Sequence, residues 1–287
     1  MPSTATTLTS THLRSIATDA ALTAGDYLAS VFRAPMEVQH KTSAHDQVTV
    51  HDRAAEDFIR DVIAQQLPGS VVVGEEAGAT VVGEAAAGGD DRSNIVWHVD
   101  PIDGTSNFAQ GLAFFCTSIG VEVDGQIRAG VIYDPMADNI FSADETGAFL
   151  NGQPLVAPPA LPLPAATLIT GYPTAADLAI DGHTSMTRFQ SWVETFSSVR
   201  RTGSGAMSIA HVAAGWTDAS LGTGVNPWDV AAAMFILRQA GGTYVPINYA
   251  PSVEGDHYAP GYLALGPAAD YPVLATAVQQ LEQARQS

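Results

Sequence analysis

Hydrophobic and polar residues follow a helical period near the start of the chain and a strand period after it. Apolar and small residues at helical spacing predict helices over residues 7–32 and 53–66. Apolar runs separated by turn residues predict strands over residues 114–123, 126–133, 139–143 and 148–150. Because Asp124-Gly125 is a typical hairpin dipeptide, we expect these strands to form an antiparallel meander.

The second half of the chain alternates strands with helices, which is typical of an α/β arrangement. Strands are predicted over residues 167–170, 217–221, 242–245 and 262–265, and helices over residues 185–196, 204–214, 227–238 and 271–285. The proline-rich segment 154–164 is a stiff connector between the two patterns. We therefore expect an N-terminal α+β half over residues 1–157 and a C-terminal α/β half over residues 158–287. Residues 77–92, rich in Gly, Ala and Asp, are predicted to be a loop.

A buried strand with two acids at its end is the most informative local pattern. Residues 95–97 are apolar, and Pro101 is predicted to end the strand because proline has no N–H to donate. Asp100 and Asp103 then lie at the strand end, beside the amides of Gly104 and Thr105. Carboxylates beside such amides suit Mg²⁺ and phosphate together, although an Asp-Pro turn with Asp103 as a helix cap fits the same residues.

Acidic residues recur at the ends of two other predicted elements. Glu75 and Glu76 follow the apolar run 71–73, and Asp229 falls in the first turn of an Ala-rich helix. A solvated strand end and a simple helix cap are the structural alternatives. Three acidic ends together favour one shared site.

These segments resemble a known family. Gly74-Glu75-Glu76, residues 100–105 and Trp228-Asp229 are similar, in order and spacing, to the three signatures of the inositol monophosphatase family of metal-dependent, lithium-sensitive phosphatases. The similarity runs from about Lys41 to Gly242. It implies a layered αβαβα sandwich of the inositol monophosphatase and fructose bisphosphatase type, with the site between the halves, and a homodimer.

The resemblance also implies roles for individual residues. Two or three Mg²⁺ ions, with Mn²⁺ as a possible substitute, would be held by Glu75, Asp100, the carbonyl of Ile102, Asp103 and Asp229, with Asp100 bridging. The residues implied in activating the attacking water are Thr105, Glu75 and Asp52. Phosphate and substrate would meet Gly104, Thr105, Gly203, Ser204, Gly205 and Asp229. Lys41, Thr49 and Asp52 would approach the metals from a mobile loop over residues 41–52.

Composition and charge agree with a metal-dependent site. The chain has 12 basic and 30 acidic residues and a formal net charge of −18, which disfavours binding to nucleic acid or an anionic membrane. Several carboxylates in one small volume repel one another unless cations bind, and ligands that are all oxygen favour Mg²⁺ or Mn²⁺ over zinc. The single cysteine, Cys116, excludes an internal disulfide and is expected in the core. Because the sequence has no signal-peptide pattern and no long apolar stretch, we expect a soluble cytoplasmic protein.

The expected function is a Mg²⁺-dependent phosphomonoesterase that hydrolyses a small phosphorylated metabolite, similar to inositol-1-monophosphatase. Gly222 departs from the family pattern, because inositol-specific members have a glutamate seven residues before the Asp229 position. A histidinol-phosphate phosphatase, a 3′-phosphoadenosine nucleotidase and a fructose-1,6-bisphosphatase therefore stay open, as does a non-enzymatic regulator that binds a partner protein. Three histidines are predicted to be structural or to carry no signal: His98, His211 and His257.

Overall fold

The computed structural model describes residues 8–35, 38–40, 47–84, 91–249 and 254–286. None of the helices in these ranges combines the length and the apolar character that a membrane crossing requires. In chain order the elements are α1 (Ser10–Val31), β1 (Val38–His40), β2 (Gln47–Thr49), α2 (Val50–Gln66), β3 (Val71–Gly74), β4 (Gly78–Val81), β5 (Ile95–Asp103), α3 (Thr105–Gln110), β6 (Cys116–Val123), β7 (Gln126–Asp134), β8 (Asn139–Asp144), β9 (Gly147–Leu150), β10 (Gln153–Leu155), β11 (Thr167–Thr170), α4 (Ala175–Asp181), α5 (His183–Thr195), β12 (Ser198–Arg200), α6 (Gly205–Ala213), β13 (Ala219–Thr223), α7 (Pro227–Gln239), β14 (Thr243–Ile247), a 3₁₀ turn (Asp256–Tyr258), β15 (Gly261–Leu265) and α8 (Pro272–Arg285).

Two large sheets organise these elements. The first has the strand order β10-β9-β8-β7-β6-β5-β3-β4, antiparallel except for the parallel pair β3 and β5. Its central part is the predicted meander, and Asp124 and Gly125 both have positive φ in the turn between β6 and β7. The second sheet has the order β12-β11-β13-β15-β14, with parallel pairs around β11 and antiparallel pairs around β15. A short pair, β1 and β2, lies apart from both.

Three apolar cores define the layers. Helices α1 and α2 pack on one face of the first sheet, around side chains such as Trp97 and Ile119. Helices α6 and α7 fill the space between the sheets, and α5 and α8 cover the outer face of the second sheet around Trp192 and Leu274. The order helices, sheet, helices, sheet, helices confirms the layered αβαβα sandwich. The division into halves at residues 157 and 158 stays a prediction.

The prediction that Pro101 ends its strand was wrong. Strand β5 continues to Asp103, and its register against β6 shifts between the pairs Asp100–Ser118 and Asp103–Cys116. This irregularity is a β-bulge. Pro101 costs no hydrogen bond between the strands there, because the extra residue of a bulge is unpaired. The hydroxyl of Thr117 donates instead to the Pro101 carbonyl at 3.0 Å.

Other differences concern local capping and edges. Within residues 77–92, predicted as a loop, β4 pairs antiparallel with β3 at the sheet edge. Helix α2 begins at Val50 rather than residue 53, because Thr49 and Asp52 form a capping box. Helix α4 was missed, although Thr174 and Asp177 form the same kind of box. Lys41 lies outside the described residues, so the predicted mobile loop is described only in part.

Candidate active site

The acidic residues singled out in the sequence surround one cavity. Its volume is about 260 Å³, and it lies where β3, β5, α3 and α7 converge. The side chains and backbone that line it include every predicted metal ligand, together with most of the predicted phosphate contacts: Glu75, Asp100, Ile102, Asp103, Gly104, Thr105, Ser106, Gly203, Gly205, Val225 and Asp229. Segments separated by more than 150 residues therefore meet at this point.

The bulge at the end of β5 sets the positions of the central acids. Asp100 is 2 % exposed, and its Oδ1 accepts a hydrogen bond from the Ile102 amide at 3.0 Å. This turn around Pro101 brings Asp100, the Ile102 backbone and Asp103 to the same cavity. The Asp-Pro turn that was offered as the alternative to a metal site is therefore present, and this turn itself brings the acids to the cavity.

Asp103 is bound to the start of α6, which lies between the sheets. Its Oδ2 accepts hydrogen bonds from the Ser204 hydroxyl and the Ala206 amide, both at 2.6 Å. Its Oδ1 accepts a longer bond from the Gly205 amide at 3.3 Å. Burial raises the pKa of Asp103 to about 6, although these hydrogen bonds favour its charged form. Ser204 therefore acts on Asp103 directly, rather than lining the acidic cavity.

Glu75 follows β3 in a turn that Glu56 of α2 holds in place. The Glu56 carboxylate accepts hydrogen bonds from the amides of Glu76 at 2.8 Å and Ala77 at 3.1 Å, and it pairs with Arg60 at 2.7 Å. A Cβ added at position 74 would lie 2.4 Å from the Glu56 carboxyl carbon, so only glycine fits before Glu75. Sequence reasoning missed Glu56, because its partner is a backbone turn twenty residues away.

Asp229 lies in the first turn of α7, as predicted. Its Oδ2 accepts a hydrogen bond from the Asn226 amide at 2.7 Å, so Asp229 does cap the start of the helix, as the structural alternative predicted. The same side chain borders the acidic cavity. The carbonyl of the preceding Trp228 accepts a hydrogen bond from Ser118 of β6 at 3.2 Å, which fixes the start of α7 against the first sheet.

The cavity concentrates several carboxylates, whose negative charge bound cations would neutralise. Burial raises the pKa of Asp100 well above its ordinary value, and the nearby charges of Glu75, Asp103, Asp229 and Asp52 raise it further. No Lys or Arg lines the cavity among the described residues. Carboxylates and a backbone carbonyl are the ligands that Mg²⁺ and Mn²⁺ prefer, so the donor set fits divalent cations of this class.

Thr105 and Asp52 form a pair at the edge of the cavity. The Thr105 hydroxyl lies 3.0 Å from Asp52 Oδ1 and 3.0 Å from the Ile102 carbonyl. Asp52 in turn accepts hydrogen bonds from the amide and hydroxyl of Thr49 at 2.6 and 2.7 Å. Burial raises the pKa of Asp52 despite these bonds. Thr105 therefore contacts an acid directly, and that acid is Asp52.

A second cavity of about 130 Å³ adjoins the acidic one and shares Gly203 and Gly205 with it. Most of the residues that line it carry a hydroxyl group, among them Thr170, Ser208 and Ser220. Gly222 pairs with Tyr262 across β13 and β15, and a Cβ at position 222 would lie 2.5 Å from a ring carbon of Tyr262. The tyrosine ring thus occupies the space that a glutamate side chain would need.

Comparison with known proteins agrees with the motifs. A profile of the inositol monophosphatase family matches residues 10–283, nearly the whole chain. The chain belongs to the inositol monophosphatase family. Inositol monophosphatase 3 of Solanum lycopersicum is 37% identical over 79% of this chain and 83% of its own length. A protein of Escherichia coli K12 named Nus factor SuhB is 35% identical over 79% of this chain and 82% of its own length.

Solved structures of the family share the fold. The crystal structure of extragenic suppressor protein suhB from Bartonella henselae has a TM-score of 0.78 at 29% identity, and the match covers 96% of this chain and 98% of that one. Membership of the inositol monophosphatase family confirms the predicted family and fold, and it supports phosphatase activity.

Three histidines lie outside this site. His211 is packed against Phe114, Phe141 and Trp216, as expected of a structural residue. His98 and His257, by contrast, meet at one carboxylate, that of Glu122. Sequence reasoning missed this cluster, although a histidine and a glutamate inside two apolar strands were a signal of buried polar partners.

Proposed function

We propose that this protein is a Mg²⁺-dependent phosphomonoesterase that acts on a small phosphorylated metabolite. The observation that carries the proposal is the convergence of Glu75, Asp100, Asp103 and Asp229 on one cavity beside the start of α3. Acids this close require cations, and a phosphate ester is a substrate whose oxygens would share those cations. Mn²⁺ is a chemically similar substitute.

The residues divide into two sets of metal ligands. Glu75, Asp100 and the Ile102 carbonyl would hold one ion, and Asp100, Asp103 and Asp229 a second. When bound, the ions supply positive charge that stabilises phosphate oxygens and lowers the pKa of water. The hydrogen bonds from Ser204 and Ala206 fix the orientation of the Asp103 carboxylate, and those to Glu56 fix the turn that carries Glu75.

Thr105 is suited to orient the attacking water and accept its proton. With its own hydrogen directed to Asp52 at 3.0 Å, the Thr105 oxygen keeps a lone pair for a water molecule in the cavity. Asp52 then receives the hydroxyl proton as Thr105 takes one from the water. Glu75, on the same cavity, would help to orient this water. The amides of Gly104 and Thr105 would receive phosphate oxygens.

Substrate preference is proposed to lie with the alcohol part of the ester. The hydroxyl-lined cavity beside Gly203, Ser204 and Gly205 would bind this part. The ring of Tyr262 fills the space where inositol-specific members have a glutamate side chain, so the wall of the cavity is uncharged there. A polyol then loses one charged acceptor, worth about 1–3 kcal/mol if buried. Preference for inositol 1-phosphate is therefore weakened in favour of histidinol phosphate, a sugar phosphate or a nucleotide 3′-phosphate.

The test is inorganic phosphate release from a panel of these esters, measured with Mg²⁺ and with chelator. We expect release only with Mg²⁺ and inhibition by Li⁺. Asp229→Asn should abolish release, whereas Asp57→Asn, on the exposed surface of α2, should not change it. Release that is unaffected by chelator would refute the metal-dependent mechanism, and a clear preference for inositol 1-phosphate would refute the specificity proposal.

A regulatory role through a protein partner is a second candidate, because one relative carries the name Nus factor SuhB. A protein retired from catalysis would have no need of Thr105 and Asp52 in hydrogen-bond contact, which favours the enzyme. Folded protein that releases no phosphate from any ester, with either Mg²⁺ or Mn²⁺, would favour the regulator. The absence of nucleic-acid binding, the homodimer and the cytoplasmic location stay predictions, to be checked by gel shift, sedimentation and cell fractionation.

A further inference from the structure

A second cluster of ionisable side chains lies on the same face of β5 as Asp100. The Nε2 atoms of His98 and His257 lie 3.0 and 2.9 Å from one oxygen of Glu122, its Oε2. The hydroxyl of Tyr258 lies 3.3 Å from the same oxygen. Strands β5 and β6 supply His98 and Glu122, and the 3₁₀ turn supplies His257 and Tyr258.

We infer that His98, Glu122 and His257 form a binding site for a divalent transition-metal ion of the zinc class. Within the described part of the chain, this is the group in which three ligand atoms of His, Cys, Asp or Glu lie within 4.8 Å of one another. Two imidazole nitrogens and one carboxylate oxygen are a common ligand set for Zn²⁺, with a fourth position for water or another oxygen. This inference does not depend on the proposed phosphatase function.

The hydrogen bonding of the cluster is crowded. Three donors, the two imidazoles and the tyrosine, converge on a single oxygen that has two lone pairs. A cation at this point would instead accept lone pairs from both imidazoles and the carboxylate, and the Tyr258 oxygen is near enough to complete the set. The three proposed ligands are 1, 8 and 2 % exposed in the order His98, Glu122 and His257, so water competes little for an ion held there.

Charge also distinguishes this site from the acidic cavity. Two imidazole nitrogens and one carboxylate oxygen meet here, whereas four carboxylates line the acidic cavity. Nitrogen ligands suit Zn²⁺, Co²⁺ or Ni²⁺ and disfavour Mg²⁺, which prefers oxygen. The chain therefore offers two sites of different chemical preference, separated along β5 by two residues.

The surroundings of His98 Nδ1 affect the affinity that we expect for the ion. Coordination through Nε2 places the imidazole proton on Nδ1, and the Nδ1 of His98 is buried without a partner among the described residues. Metal-bound histidines usually donate that proton to an acceptor. We therefore expect binding about 10–100-fold weaker than at a zinc site whose histidines all donate this proton.

A bound ion would attach the 3₁₀ turn to the first sheet. This turn leads directly into β15, where Tyr262 forms a wall of the hydroxyl-lined cavity. Between them, the Pro260 carbonyl accepts the amides of Gly224 and Val225 at 2.7 and 3.2 Å. The ion would thus fix a segment that borders the proposed substrate pocket.

The experiment titrates Zn²⁺ and Co²⁺ into full-length, chelator-treated protein in the presence of saturating Mg²⁺. We expect one equivalent of Zn²⁺ by elemental analysis, a higher melting temperature, and the strong visible absorption of Co²⁺ in a site of four or five ligands. His257→Gln should lose all three signals, because glutamine keeps a donor for Glu122 but is a poor ligand. His183→Gln, at an exposed position of α5, is the matched control and should keep them.

The result that overturns the site is wild-type protein that takes up no Zn²⁺ under these conditions, or equal uptake by wild type and by a His98→Gln/His257→Gln double variant. If these variants do not fold, Glu122→Gln provides a second test, since its carbonyl still accepts hydrogen bonds. The wild-type Co²⁺ spectrum needs no variant, and the weak absorption of a six-coordinate ion would also contradict the proposal.

Discussion

Strand β5 carries two clusters of ionisable groups, and the chain balances their charges differently. At His98, two imidazoles and a tyrosine surround the Glu122 carboxylate, and hydrogen bonds from His257 and His98 hold its pKa below the usual range. At Asp100, two residues further on, burial raises the pKa instead, and four other carboxylates raise it further. The first cluster is closed, with ligand atoms within 4.8 Å of one another. The second is open, because its acids line a cavity of about 260 Å³.

This difference shows where the protein depends on an outside cation. Hydrogen-bond donors of the chain itself surround the charge of Glu122. The acids around Asp100 have hydrogen-bond donors for Asp103 but no basic side chain in their cavity among the residues described. We therefore propose that function needs a cation at the acidic cavity, whereas at the histidine cluster a cation would add order.

The largest effect should come from neutralising the acid at the centre of the open cluster. Asp100→Asn is expected to lower kcat/KM by at least about 10³-fold, because both proposed metal sites would share this residue. Without Mg²⁺ the variant should be no less stable than wild type, since a buried, repelled carboxylate has been removed. Steady-state kinetics and thermal melts measure both effects. A variant that keeps its activity, or one that melts far below wild type, would contradict the comparison.

An acid pair balanced by a basic side chain should respond in the opposite way. Arg285 contacts Asp177 at 2.5 Å and Asp181 at 2.7 Å, and all three side chains are at most 5 % exposed. Arg285→Met removes the basic partner of Asp177 and leaves Asp181 with only the longer pair to Arg188 at 3.5 Å, so it should lower the free energy of unfolding by about 3–5 kcal/mol. Chemical denaturation measures this value.

The matched control for that variant is Arg128→Met. Arg128 pairs with Glu145 at the surface, where the two side chains are 43 and 50 % exposed, so its loss should cost less than about 1 kcal/mol. Equal destabilisation by the two variants would show that burial of the acids is not what matters.

Substitution of Thr105 tests the proposed activation of water beside the open cluster and leaves the charge of that cluster unchanged. Thr105→Ala should lower kcat by about 10²-fold and change the Mg²⁺ concentration for half-maximal rate little, because the hydroxyl is proposed to act on water. Thr105→Ser keeps the contact with Asp52 and should recover most of the rate. A Thr105→Ala variant whose rate returns at high Mg²⁺ would instead place Thr105 among the metal ligands.

His211, which is packed among aromatic rings rather than beside a carboxylate, can be compared with His98 and His257. Burial among aromatic rings lowers the pKa of His211 to about 4, compared with about 6.5 in an unfolded chain. Between these pH values the unfolded state binds a proton that the folded state does not, so stability falls as the pH drops from about 6.5 to 4. The loss should be at most about 2–3 kcal/mol. Urea denaturation at several pH values should show a smaller loss in His211→Phe, and an equal loss in both proteins would exclude this histidine as the cause.

The sequence predicted the parts of the site that depend on local order. Asp100, Asp103 and Asp229 stand at the ends of elements with clear start and stop signals, and the family motif ties them together. The two large sheets and their helices also follow from hydrophobic periodicity. Pro101 was misjudged because a bulge, which sequence does not encode locally, absorbs its missing donor.

Residues whose role depends on distant partners were not predictable. Glu56 acts on a turn after another strand, and His257 reaches Glu122 across 135 positions. Neither spacing nor periodicity determines such meetings, which follow from strand register and from how one turn packs on a sheet. Gly222 was recognised as a departure, but the ring of Tyr262 that fills its space became evident only in the structure.

The most direct test of the account is anomalous diffraction from crystals grown with Mn²⁺, followed by Zn²⁺ added at low concentration. We predict Mn²⁺ peaks about 3.5–4 Å apart between Glu75, Asp100, Asp103 and Asp229, as in two-metal sites. Active protein whose crystals show no Mn²⁺ in this cavity, or show it only elsewhere, would contradict the central claim that these acids exist to hold cations.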